Sequence, residues 1–133
     1  MGAVAWRDVE VVREIYAAVN RRDFPALWGM LHPSFVLTQD PALPWGGWYE
    51  GHHGFATFGT TLGAVVESTV ETSALFESNG EVVQYGRLKG TVLATGRTFD
   101  IAEVHRWTIS EGRAVLAHFS IDTPAMLRAL AAP

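Results

Sequence analysis

Glu103 and His105 stand two residues apart in the stretch FDIAEVHRWTI, Phe99 to Ile109. A carboxylate and an imidazole are the side chains best suited to moving a proton near neutral pH. In an extended strand, alternate side chains share a face. Phe99, Ile101, Glu103, His105, Trp107 and Ile109 then lie on one side, and Asp100, Ala102, Val104, Arg106 and Thr108 on the other, where they can meet water. The face that should be buried therefore carries an acid and a histidine, about 6–7 Å apart at the backbone. Pairing would raise the histidine pKa and lower that of the glutamate, while burial pushes each the opposite way. The plainer alternative is a structural ion pair, or a histidine satisfied by Trp107 or a backbone carbonyl.

The chain that must position this pair has 133 residues, enough for one domain, 1–133, with one core. Hydrophobic residues make up 48%, which argues against disorder. The formal net charge is −4 and no basic patch stands out, so nucleic acid is not expected as a partner. Without cysteine there is no disulfide framework, thiol nucleophile or thiolate metal site. The start, MGAVAWRDVEVVREIY, has acids and an arginine where a signal peptide needs an apolar run. No segment is long and apolar enough to span a membrane. A soluble, cytoplasmic protein is expected.

Helical spacing of Val9, Val12, Ile15, Tyr16 and Val19 predicts a helix over AWRDVEVVREIYAAVNRRD. Asp23 can cap a second short helix, FPALWGML, with Pro25 in its first turn. A strand is expected from Phe35 to about Gln39, stopped by Pro41, and ALPWGGWYEG then reads as a loop. Phe55, Phe58, Leu62 and Val65 or Val66 share a face of a third helix, which its glycines weaken. A meander follows. STVETSALFE turns at SNGE, VVQYGRLKGTVLA turns at TGR into the strand of Glu103 and His105, and that strand turns at SEGR into AVLAHFSID. TPAMLRAL closes as a short helix capped by Asp122 or Thr123. Helices followed by long antiparallel strands give an α+β layer fold.

The markers IYAAVNRRDFPAL, LHPSFVLTQDP, LPWGGWYEGHHG, TGRTF, VHRWTISEGR and IDTPAMLRAL, taken in order over nearly the whole chain, resemble the SnoaL-like and ketosteroid-isomerase-like members of the nuclear-transport-factor-2-like superfamily. The resemblance implies a cone-shaped, curved antiparallel (mixed) sheet that encloses an apolar pocket with the N-terminal helices. It also implies a homodimer paired through the sheet. Tyr16 is similar in placement to the tyrosine of ketosteroid isomerases that donates to an oxyanion, or is a core tyrosine. Asp40, before Pro41, resembles their general base, or is a turn aspartate bonded to its own backbone. If Phe35 and Leu37 face the core, Gln39 shares their face and Asp40 does not. His105 falls where those enzymes keep a protonated aspartic acid as a second oxyanion donor. The Asp–Arg–Asp set of the epoxide-hydrolase branch is not matched, because Phe119, Gly86 and Leu88 fall at or near its positions and Arg87 is one residue out of phase.

The expected activity is proton abstraction next to a carbonyl of an apolar small molecule, as in a polyketide cyclase, isomerase or dehydratase. Asp40 or the Glu103–His105 pair would be the base, and Tyr16 or His105 would stabilise the enolate. Gln39, Trp45, Trp48, Phe58, Gln84, Trp107 and Phe119 are expected to bind substrate, with Trp45 and Trp48 in a lid over the pocket, in a loop packed at a sheet edge or in a dimer contact. His52 and His53 are adjacent on a helix and point apart, so no metal site is expected, and no cofactor. Tyr85 and Arg87 should face outward, possible dimer contacts on the side opposite Gln84. The alternative is a non-catalytic protein of the same fold that holds a small hydrophobic ligand.

Overall fold

Aspartates start two of the helices by accepting the backbone N–H three residues on. Asp23 takes Ala26 N–H at 3.2 Å and Asp122 takes Ala125 N–H at 3.1 Å, each with a proline in the first turn. The structure, a computed structural model, describes residues 7–131. Ala5 and Trp6, where the first predicted helix begins, lie outside that range. The helices are α1 (Asp8–Arg21), α2 (Phe24–Met30), α3 (Gly51–Gly63) and α4 (Thr123–Leu130). The strands are β1 (Leu31–Gln39), β2 (Gly47–Glu50), β3 (Val66–Ser78), β4 (Glu81–Val92), β5 (Thr98–Ser110) and β6 (Arg113–Ile121). Among the described residues no helix is long and apolar enough to cross a membrane.

The strands form one mixed, curved and unclosed sheet in the order β2-β1-β6-β5-β4-β3. Among the described residues only the β1–β6 pair is parallel. The two-residue turns at Asn79–Gly80 and Glu111–Gly112 have positive φ throughout, the geometry that matches the twist of the strands they join. Two details depart from the sequence reading. β1 starts four residues before Phe35, and its register against β6 shifts between Leu31 and Val36, where Pro33 has no N–H to donate. The stretch read as a loop ends in a strand, because Gly47 to Glu50 pair antiparallel with Val36 to Gln39.

Helices α1, α2 and α3 cover the concave side of the sheet. Val12, Ile15 and Leu27 from the helices pack with Phe35, Leu37 and Trp107 from the strands, all fully buried. Each such side chain contributes roughly 1.5–3 kcal/mol over its exposed state. Gly86 shows how tightly β4 meets β3. A Cβ there would collide with the Glu71 carbonyl, beside the bulge between Thr72 and Ala74.

Candidate active site

The burial of β5 alternates along its length, and Phe99, Ile101, Glu103, His105 and Trp107 all point inward. Of these, Glu103, His105 and Trp107 line a cavity of about 650 Å³ between the sheet and the helices. Its wall is mostly apolar and aromatic: Trp28, Trp45, Phe55, Phe58, Trp107 and Phe119 supply much of it. The polar groups reaching it include Tyr16 from α1, Gln39 from β1, and Glu103 and His105 from β5.

Three side chains form a hydrogen-bonded chain. Trp107 Nε1 donates to the Tyr16 oxygen at 2.8 Å, and that oxygen lies 2.7 Å from His105 Nδ1. Nδ1 is also 3.4 Å from Glu103 Oε2, beyond a good hydrogen bond. The His105 ring stacks on Phe119, centroids 3.9 Å apart and planes 19° apart. Both carboxylate oxygens of Glu103 are covered and lack a hydrogen-bond partner among the described residues.

These surroundings set the protonation states. Burial raises the Glu103 pKa to about 7, only partly offset by the nearby Gln84 amide. Burial, with a smaller push from nearby His118, lowers His105 to about 3, so the ring is neutral at pH 7. Burial also raises Tyr16 well above the usual phenol value, against the opposing pull of the Trp107 N–H. At neutral pH the site thus holds a half-ionised carboxyl group, a neutral imidazole and a phenol.

Several expected residues gather here. Tyr16, Gln39, Trp45, Phe58, Glu103, His105, Trp107 and Phe119 all line the cavity. Three others do not. Asp40 is exposed beyond the end of β1, and its carboxylate accepts the Ala42 N–H at 2.9 Å, so it is the turn aspartate and is not placed to act as a base in the cavity. Strand alternation decided this: Phe35, Leu37 and Gln39 point in, and Asp40 falls outside. Trp48 is 65% exposed on the outer face and donates to Glu50 Oε1 at 2.7 Å, so it forms no lid. Gln84 is buried on the inner face but off the cavity wall, with Nε2 donating to Thr72 Oγ1 at 3.1 Å. Tyr85 and Arg87 face outward as expected, and Arg87 pairs with Asp100 at 2.7 Å.

Sequence reasoning missed the rim. Asn20, Arg22, Phe24 and Ser68 line the cavity from the α1–α2 junction and the start of β3. Arg22 has a φ of 60°, and this positive-φ turn after α1 brings the rim residues together. The signal in the sequence was Asp23, which marks the start of the second helix, but the sequence does not show which strand lies opposite. His52 Nε2 donates to the Leu31 carbonyl at 2.8 Å while its ring stacks on Trp28.

Comparison with known proteins places this architecture. A family model described as a SnoaL-like domain matches residues 12–117. A nuclear-transport-factor-2-like protein of unknown function from Burkholderia pseudomallei is 29% identical with a TM-score of 0.85, over 92% of this chain and 96% of that one. TerC, co-crystallized with polyporic acid, is 25% identical with a TM-score of 0.85 over the same shares. A candidate polyketide cyclase from Pseudomonas putida shares the fold at 17% identity, with a TM-score of 0.82 over 96% of this chain and 100% of that one. No curated protein matches the chain.

Proposed function

The chain belongs to the SnoaL-like domain family, and from that membership we propose that it is a small cofactor-independent enzyme that removes a proton next to a carbonyl group of an apolar molecule. The observation that carries this reading is Glu103: a buried carboxylate with no hydrogen-bond partner among the described residues, on the wall of an apolar cavity, its pKa raised by burial to about 7. A carboxylate held by two or three donors is a weak base, whereas one stripped of them is ready to take a proton from carbon. The proton moves from the α-carbon to a Glu103 oxygen, and the electron pair left behind runs into the carbonyl as an enolate. His105, beside Glu103, donates a hydrogen bond to the enolate oxygen in this reading. Return of the proton to another carbon gives an isomer. Attack of the enolate on a second carbonyl, with the proton passing from Glu103 to the new alkoxide, gives a ring, and departure of a β-hydroxyl as water, carrying the Glu103 proton, gives a dehydrated product.

The reaction class can be tested before the natural substrate is known. Aromatic and cyclic ketones are screened for binding by quenching of the cavity tryptophans, with polyporic acid among the first trial ligands because TerC was crystallized with it. Bound ketones are then followed by NMR in deuterium oxide for exchange of the α-hydrogen. The expected outcome is catalysed exchange that Glu103→Gln slows by about 10²–10⁴-fold. Ketones that saturate the cavity yet exchange no faster than in buffer would defeat the reading and leave a ligand-binding protein.

A further inference from the structure

Trp107 makes a polar contact whose direction is fixed. An indole N–H can only donate, so the 2.8 Å contact runs from Trp107 Nε1 to the Tyr16 oxygen. The same oxygen lies 2.7 Å from His105 Nδ1. With the phenol oxygen already accepting from the indole, its own proton goes to the acceptor within reach, and Nδ1 is that acceptor. Glu103 Oε2, at 3.4 Å from Nδ1, makes no hydrogen bond to that nitrogen or to any other group among the described residues. A neutral imidazole that accepts at Nδ1 carries its hydrogen on Nε2. No hydrogen bond within the described residues engages Nε2, and His105 lines the cavity.

We propose that Trp107 is a positioning residue that fixes the tautomer of His105 through Tyr16, so that the histidine presents an N–H donor to the cavity and not a basic lone pair. Burial keeps the Tyr16 phenol protonated and the His105 ring neutral, so both states the relay needs are held. The roles of the pair then divide: Glu103 receives protons and His105 only donates a hydrogen bond. The site should favour ligands that place an acceptor oxygen at Nε2, such as a ketone, an enolate or a phenolate, over ammonium ions. The catalytic consequence rests on the reading proposed above, whereas the tautomer does not.

Nitrogen-15 NMR of the unliganded protein reads the tautomer directly. His105 signals are assigned by their loss in His105→Gln. At pH 7 the wild type should show a protonated Nε2 and an unprotonated Nδ1, and the reverse pattern would overturn the proposal. Trp107→Phe keeps the ring stacked on Phe35, whose centroid lies 6.1 Å away, but loses the donor. Its two His105 nitrogen shifts should move toward each other as the tautomers mix, and an unchanged Nε2–H pattern would remove Trp107 from the role. Should that variant not fold, Tyr16→Phe serves: losing the phenol should move the proton to Nδ1, facing Glu103 Oε2, and a retained Nε2–H would count against the relay. With an exchange-active ketone, Trp107→Phe should lower kcat at nearly constant KM. A normal Nε2–H signal without exchange on any bound ketone would sink the catalytic reading alone.

Discussion

Glu103 and His105 respond to pH in opposite senses, and the folded protein should show it. Glu103 ionises near 4.5 when unfolded and near 7 when folded. Between these values the native state holds a proton that the unfolded chain has released, so this contribution to stability is complete below 4.5 and lost as pH rises through 7. His105 falls from 6.5 to about 3, so its contribution is complete above 6.5 and lost as pH falls through 3. From 4.5 to 6.5 the two slopes oppose. Glu103→Gln removes the first, so the variant should melt above the wild type at pH 8 and close to it at pH 4.5. A melting-temperature difference that is the same at both values would show that Glu103 does not titrate in this range. The pair itself was legible from strand alternation alone. Asp40 was not, since a dipeptide of aspartate and proline serves a turn or a catalytic site equally well, and only the inward course of Phe35, Leu37 and Gln39 separates them.

The elements were legible where their local chemistry is strong. Capping aspartates, the helical spacing of Val9, Val12 and Ile15, and the two-residue turns at Gly80 and Gly112 each specify a boundary without help from the rest of the chain. β2 was hidden because its pairing with β1 is a long-range fact, and four residues rich in glycine and aromatics do not announce it. The close approach of β4 to β3 was hidden for the same reason. It yields a prediction: Gly86→Ala places a methyl group against the Glu71 carbonyl, and overpacking of this kind costs about 1–3 kcal/mol. Urea denaturation should show the loss, and a variant as stable as the wild type would mean that β3 can move aside freely. Because Gly86 pairs with Glu103 across β4 and β5, a variant that folds should also change the exchange rate of a bound ketone.

On the scale of the whole molecule, a curved sheet and three helices leave a hollow where a smaller protein would have only core. Its aromatic lining was legible residue by residue, but its rim was not, because Asn20 and Ser68 are 48 positions apart in the chain. The outer face of the sheet has its own apolar surface: Tyr85 and Val104 lie opposite each other and are both exposed, with Phe76 and Leu116 further along. The homodimer proposed from the family resemblance would cover this face. Analytical ultracentrifugation should then find a dimer that Val104→Asp converts to a folded monomer. A wild type that sediments as a monomer at tens of micromolar would exclude the pairing.

The Asn20 side chain has a consequence away from the cavity. Its amide donates to the Val70 carbonyl at 3.0 Å and its oxygen accepts the Val70 N–H at 3.3 Å, while Arg22 donates to the Ser68 carbonyl at 3.4 Å. β3 is the outermost strand on that side, and an uncovered border of this type invites foreign strands to add and grow into fibrils. Here two residues of a helix end occupy the edge groups of Ser68 and Val70, so a foreign strand could not pair along that part of β3 without first displacing the turn that frames the cavity entrance.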